Sequence, residues 1–239
     1  MWVNKPAGLI ERLIFALDMP TADQAKAWVE RLSPSVAFYK VGLELFLSAG
    51  FPIVDWIIGH GFQVMLDLKL YDVPTTVKRA LSVIGPHKAR FATVHGDHSI
   101  LKAAAVAENR PGILAVTVLT SLSQQDALDM GITANIADLV KSRACLAKSL
   151  GCEGVVCSPL EAAAVRAAVG PDFCIVTPGI RPASHSGDDQ VRISTAFQAI
   201  ADGADYLVVG RPIRDAADPL AVVAAIYEEI SRGLDLRQA

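Results

Sequence analysis

A chain of 239 residues with 52% hydrophobic and 20% charged content is long enough for one well-buried core, and close to the ~250 residues usual for a (β/α)8 barrel. Its 22 Lys and Arg against 25 Asp and Glu leave a formal charge of −3 with the basic residues scattered, which excludes the basic field a nucleic-acid partner demands. No apolar run nears the ~20 residues of a membrane span and the N-terminus lacks a signal-peptide core, so a soluble, cytoplasmic protein with no membrane partner is expected.

Short apolar, β-branched runs alternate with Ala- and Leu-rich helical stretches, the pattern of a parallel sheet wrapped in helices. In chain order, strands are predicted at Leu13–Leu17, Phe38–Val41, Val64–Leu68, Phe91–Val94, Ile113–Leu119, Gly154–Cys157, Phe173–Thr177 and Tyr206–Val209. Helix starts are signalled by capping boxes at Thr21-x-x-Gln24 and Ser158-x-x-Glu161 and by Asp218-Pro219 as N-cap and first helical residue. Gly151, Gly170 and Gly203 stand where helices should end. Ile136, Leu139, Val140, Ala144, Ala147 and Leu150 recur at helical spacing and give one apolar stripe. Eight such units, with no break in composition and no internal repeat, predict an α/β fold: a single (β/α)8 TIM barrel domain over residues 1–239. One connection, Pro178 to about Gln190, is long and rich in Pro, Gly, Ser and Asp, and is expected to act as a lid. Cys145, Cys152, Cys157 and Cys174 form no C-x-x-C pair and are expected to be reduced thiols.

Active sites of such barrels lie at the carboxyl ends of the strands, so polar residues there are the first candidates. The strands run out into Asp18, Lys40, Asp67-Leu68-Lys69-Leu70-Tyr71-Asp72, His95, Thr120-Ser121, Thr177-Pro178-Gly179-Ile180-Arg181 and Gly210-Arg211. Asp67 and Lys69 are two apart on a strand and share the face opposite to Val64, Leu66 and Leu68, which places both in the barrel interior. Charges in so apolar a run are costly unless paired or held at the mouth facing a ligand; a surface ion pair is the plain alternative. The Gly210-Arg211 turn offers backbone N–H groups and a guanidinium where barrels of this kind hold phosphate. On its own Arg181 reads equally well as a solvated loop charge, and Gln190 reads better as a plain surface amide. His95-Gly-Asp-His98 supplies too few ligands for a zinc site, and His95 reads as a supporting residue. No G-x-x-x-x-G-K-[ST], G-x-G-x-x-G or nucleophile elbow occurs, leaving triphosphate and dinucleotide cofactors without a motif.

Asp67-x-Lys69-x-x-Asp72, with Phe15-Ala-Leu-Asp18, Lys40-Val-Gly, Leu119-Thr-Ser, Thr177-Pro-Gly-Ile-Arg-Pro and Val209-Gly-Arg-Pro-Ile, closely resembles the bacterial orotidine 5′-phosphate decarboxylases, from the first strand to the last. The resemblance implies decarboxylation of orotidine 5′-phosphate to UMP and CO2 without a cofactor or metal. It makes Asp18 a ribose ligand, Lys40 the lysine between ribose and charge array, Asp67 the central carboxylate and Lys69 the catalytic lysine. Asp72 and Thr76 would enter the neighbouring subunit's site, which implies a homodimer with shared active sites. Thr120 and Ser121 would surround the pyrimidine amide, and Arg181, Gln190, Gly210 and Arg211 the phosphate. Two other readings stand beside this one. A related sugar-phosphate group, the 3-keto-gulonate 6-phosphate decarboxylases and hexulose-phosphate synthases, shares the Asp-x-Lys-x-x-Asp element but uses Mg²⁺ held by an acidic residue where this chain has Lys40. A catalytically silent phosphate-binding barrel is the third reading, since fold alone does not fix function.

Overall fold

The computed structural model describes Pro6, residues 8–181 and residues 194–238. Eight strands are present where eight were expected: β1 (Leu13–Ala16), β2 (Phe38–Gly42), β3 (Gln63–Leu70), β4 (Phe91–His95), β5 (Gly112–Val116), β6 (Gly154–Val156), β7 (Cys174–Thr177) and β8 (Tyr206–Val209). Each pairs in parallel with the next, and β8 pairs with β1, closing the barrel. Around it, in chain order, lie α1 (Ala22–Leu32), α2 (Leu43–Gly59), α3 (Pro74–Ile84), α4 (His98–Ala105), α5 (Gln124–Asp129), α6 (Ile136–Ser149), α7 (Ala162–Val169), α8 (Ala196–Ala201), α9 (Arg211–Arg214) and α10 (Pro219–Gln238). Among the described residues no helix is long and apolar enough to cross a membrane.

The two-residue period of a strand divides the core into two bodies. Leu13, Phe15, Tyr39, Val41, Val64, Leu66, Ala92, Val94, Leu207 and Val209 face outward and pack on the helices. Ile14, Ala16, Phe38, Met65, Phe91, Leu114, Val116, Val156, Cys174, Val176, Tyr206 and Val208 point inward and fill the barrel. The inner body is thickest at the amino ends of the strands, where Phe38, Phe91 and Tyr206 meet with ring centroids 5.7–6.1 Å apart. The Arg90 guanidinium lies 5.4–5.8 Å from all three rings and hydrogen-bonds Gln63 and the Tyr206 hydroxyl, so the base of the barrel is closed by an aromatic plug with its one cation satisfied.

Thr21 accepts from the Gln24 N–H at 3.3 Å, which is the N-cap half of the expected capping box and not the reciprocal bond, and Asp218 accepts from the Ala221 N–H at 3.1 Å as an N-cap should. The capping box expected at Ser158 is a correction: its hydroxyl accepts from Leu160 N–H at 3.2 Å and starts a single 3-10 turn, Pro159–Glu161, with the α7 helix beginning only afterwards. The tighter 3-10 geometry, with Pro159 at its first position, leads the hydroxyl to the second helical N–H instead of the third. The predicted stripe from Ile136 to Leu150 is the buried side of α6, with Ile136, Val140, Ala144 and Ala147 fully inside. Gly203 has φ +108, and a Cβ there would lie 2.8 Å from the Arg166 side chain, so both conformation and space require glycine.

Phe38 lies in the plug, at the opposite end of the barrel from the strands' carboxyl termini. Phe38→Ala is expected to lower unfolding free energy by about 3–5 kcal/mol. Urea denaturation measures it, and a loss under 1 kcal/mol would mean that the plug does not hold the barrel.

Candidate active site

On five of the eight strands the inward column changes character within two residues. Ile14 and Ala16 lead to Asp18, Phe38 to Lys40, Met65 to Asp67, Phe91 to Thr93 and Tyr206 and Val208 to Gly210. The apolar plug thus gives way, one pleat higher, to a polar mouth at the carboxyl ends of the strands. There Ala16, Asp18, Lys40, Met65, Asp67, Lys69, Thr120, Val156, Pro178, Gly179, Arg181, Val208, Gly210 and Arg211 enclose a cavity of about 220 Å³.

Two ammonium groups share one carboxylate at its floor. Lys69 Nζ lies 2.9 Å and Lys40 Nζ 3.7 Å from Asp67 Oδ2, and Lys40 Nζ also donates to Asp18 Oδ1 at 2.7 Å. Asp67 and Lys40 are buried, whereas 36% of the Lys69 side chain is open to the cavity. Gly42 leaves room beside the Lys40–Asp18 contact: a Cβ there would stand 3.1 Å from Lys40 Nζ and 3.3 Å from Asp18 Oδ1, close enough to crowd both.

Lys69 has φ +48, a left-handed conformation uncommon for a side-chain-bearing residue. It belongs to a bulge: Leu66 pairs with Ala92 and Leu70 with Val94, so β3 spends four residues where β4 spends two. Such strain, of order 1–3 kcal/mol, persists where the surroundings over-determine it. Here the Lys69 N–H donates to Thr93 Oγ1 at 2.8 Å, and that hydroxyl donates to Asp67 Oδ1 at 2.9 Å. Burial by itself would raise the pKa of Asp67. The charges of Lys40 and Lys69, with the hydrogen bonds from Lys69 and Thr93, outweigh it and hold the carboxyl below its ordinary value.

Asp18, Lys40, Asp67, Lys69, Thr120, Arg181, Gly210 and Arg211 are therefore brought together as the sequence suggested. Arg181 is only 7% exposed, with Nη1 donating to the Ile180 carbonyl at 2.9 Å, so it is no solvated loop charge. Asp72 and Thr76 are exposed on the chain's own surface, outside the cavity lining, as is Ser121. Gln190, and with it most of the expected lid, falls outside the described residues. Thr93, Met65, Val156 and Val208 were not singled out from the sequence. Their signal was the alternation itself, which from Phe91 onward puts Thr93 on the inner face.

Above Thr93, the His95 ring lies 4.6 Å from that of Tyr71, with Nδ1 3.6 Å from Asp97 Oδ2; Arg143 holds the other Asp97 oxygen at 3.1 Å. Burial lowers the His95 pKa, and the nearby Arg143 and Lys69 charges add to that against Asp97. His98 is exposed on α4. Among the described residues no group of three His, Cys, Asp or Glu is arranged to hold a metal ion.

Fold and mouth together define a (β/α)8 barrel with an enzyme-like charged site, in which Lys40, Lys69, Arg181 and Arg211 face Asp18 and Asp67. A sequence model of the Orotidine 5'-phosphate decarboxylase / HUMPS family matches residues 11–226, and the chain belongs to that family. It is 51% identical over 218 residues to the orotidine 5'-phosphate decarboxylase of Methylococcus capsulatus, covering 90% of each chain. It is 47% identical over 232 residues to that of Xanthomonas euvesicatoria, covering 96% of each. The crystal structure of the Lactobacillus acidophilus orotidine 5'-phosphate decarboxylase superposes with a TM-score of 0.80 at 35% identity, over 92% of this chain and 99% of that one.

A carboxylate held below its unfolded pKa adds stability that is complete above the unfolded value, near ~3.9, and is lost as pH falls through the folded value. Asp67 is such a group, so the parent protein should lose stability more steeply on acidification below about pH 4 than Asp67→Asn. Chemical denaturation from pH 7 to pH 2.5 checks this, and equal slopes would show that Asp67 gains nothing from its neighbours.

Proposed function

We propose that this chain decarboxylates orotidine 5′-phosphate to UMP and CO2, the reaction that completes UMP synthesis. The observation that carries the reading is the Asp18–Lys40–Asp67–Lys69 array at the barrel mouth, already assembled with both Asp67 oxygens and Asp18 Oδ1 engaged. The 47–51% identity to named bacterial orotidine 5'-phosphate decarboxylases over most of the chain supports it.

Loss of CO2 from C6 leaves negative charge on a ring with no conventional electron sink. The Lys69 ammonium, open to the cavity, stabilises that charge and then delivers a proton to C6, while Asp67 fixes the ammonium's position. Asp67 also lies near the departing carboxylate, a like-charge contact relieved when CO2 forms. A single charge pair at 4 Å is worth ~4 kcal/mol at an effective dielectric of 20, against barrier reductions that reach ~23 kcal/mol. One contact therefore cannot suffice, and binding energy from the far end of the substrate is needed. Arg181, Gly210 and Arg211 receive the phosphate on this reading, joined by Gln190. Asp18 and Lys40 take the ribose, and Thr120, with Ser121 beyond it, flanks the pyrimidine amide.

The reading requires neither cofactor nor metal. At the position where the Mg²⁺-using sugar-phosphate enzymes carry an acidic ligand, the Lys40 ammonium sits between Asp18 and Asp67 and occupies both carboxylates. It further takes the active species as a homodimer of single-domain subunits in the cytoplasm, each site completed by Asp72 and Thr76 of the neighbour. Their exposure, beside the uncovered Tyr71 and Val73, supports this.

Mixing purified protein with orotidine 5′-phosphate should produce a fall in ultraviolet absorbance that persists in the presence of chelator. An unchanged spectrum would remove the function, and sensitivity to chelator would favour the Mg²⁺-dependent relatives. Lys69→Ala should still bind UMP but lose roughly 10⁴-fold or more in kcat; activity within tenfold of the parent would take Lys69 out of its role. Orotidine without its phosphate should show kcat reduced by roughly 10²-fold or more at saturation. Equal turnover of the two substrates would mean that phosphate binding is not used to align the site.

A further inference from the structure

Thr93 is fully buried on the inner face of β4, and both of its hydrogen bonds run to the charge array. Their directions are fixed by chemistry. The Lys69 N–H can only donate, so Thr93 Oγ1 accepts at 2.8 Å; the ionised Asp67 can only accept, so the hydroxyl proton goes to Oδ1 at 2.9 Å. One hydroxyl thus links the backbone of the catalytic-lysine candidate to the carboxylate that pairs with its ammonium. The bulge on β3 puts Lys69 at φ +48 opposite no residue of β4, and Thr93 Oγ1 receives the N–H there. Oδ1 takes the Thr93 hydroxyl, while Oδ2 meets Lys69 Nζ at 2.9 Å and Lys40 Nζ at 3.7 Å, so both oxygens of the carboxylate are held.

Thr117, another fully buried threonine of the barrel, provides the contrast. Its hydroxyl donates to the Val156 carbonyl at 2.9 Å, so the proton goes to backbone and not to a carboxylate, and the Arg143 guanidinium reaches only its carbonyl.

We propose that Thr93 is a positioning residue: its hydroxyl locks the β3 bulge to the Asp67 carboxylate and so aims the Lys69 ammonium into the cavity. The kinetic arm of this inference rests on the decarboxylase reading above; the structural arm does not. The charged groups around the Asp67 carboxylate are Lys69 on its own strand, Lys40 on β2 with Asp18 behind it, and His95 with Asp97 and Arg143 above Thr93. Because His95 also titrates at this mouth, an acid limb in a rate profile is not by itself assignable to Asp67, and the carboxylate must be observed directly.

Thr93→Val removes the hydroxyl and keeps the branched shape, Thr93→Ser keeps the hydroxyl and loses a methyl, and Thr93→Ala serves if the valine variant does not fold. With orotidine 5′-phosphate, the hydroxyl-free variant should lose roughly 10- to 100-fold in kcat, the scale of one hydrogen bond to a charged group, while KM stays within about threefold. Thr93→Ser should recover kcat to within about threefold of the parent. In parallel, the Asp67 side-chain carbon, assigned by its absence from Asp67→Asn, is followed by ¹³C NMR against pH. Its titration should move to higher pH in the hydroxyl-free variant and stay at the parental position in Thr93→Ser.

Parental kcat without the hydroxyl, a serine variant as impaired as valine, a loss carried by KM, or an Asp67 titration that does not move would each overturn the proposal. If the parent itself proves inactive on orotidine 5′-phosphate, the functional reading falls, and the Asp67 titration still decides whether Thr93 fixes the carboxylate.

Discussion

The structure depends on keeping one buried carboxylate ionised. Moving a carboxylate from water into a protein interior costs several kcal/mol even after relaxation, and Asp67 is only 8% exposed above an aromatic plug. Two ammonium groups and one hydroxyl offset that cost, and none of the three stands alone. Lys40 is steadied by Asp18, Lys69 by an unusual backbone conformation, and Thr93 by the bulge it closes. Smaller features follow from the same demand, since a side chain larger than glycine at position 42 would crowd Lys40 against Asp18.

Much of this was legible because a barrel strand is a two-residue code. Once Ile14, Phe38, Met65, Phe91 and Tyr206 are known to point inward, the same period carries Asp18, Lys40, Asp67, Thr93 and Gly210 to the mouth. The eight strands and the apolar face of α6 emerged from apolar spacing alone. What escaped was whatever the period does not encode. Alternation assigns Asp67 and Lys69 to one side, but it cannot report that β3 continues to Leu70 through a bulge or that Lys69 adopts positive φ. Thr93 looked ordinary because threonine is a common strand residue whose hydroxyl usually bonds locally. Ser158 misled for a related reason, as its spacing to Glu161 matched a capping box while the proline between them favoured a 3-10 turn.

The two sides of the mouth are built by different means. The charge-array side is a product of regular strands, each side chain fixed by burial and by a partner on the neighbouring strand. The opposite side, with Pro178, Gly179, Arg181, Gly210 and Arg211, is made of segments that follow β7 and β8, where backbone turns set the geometry. A strand-built half and a half built from the segments after β7 and β8 suit a ligand whose reacting end needs fixed electrostatics and whose other end supplies binding energy.

Within the strand-built half, the two lysines are not equivalent, and the difference assigns their chemistry. Lys40 lies between two carboxylates, 2.7 Å from Asp18 and 3.7 Å from Asp67, with 11% of its side chain exposed. Lys69 meets the same Asp67 oxygen at 2.9 Å but keeps 36% of its side chain open to the cavity. An ammonium enclosed by two carboxylates is a fixed charge: giving up its proton would leave both without their cation in a poorly solvated place. An ammonium that lines the cavity can approach a developing anion and pass a proton to it, provided that something else holds the adjoining carboxylate still. Lys40 and Thr93 do so from the two neighbouring strands, which on the decarboxylase reading makes Lys69 the proton donor of the array.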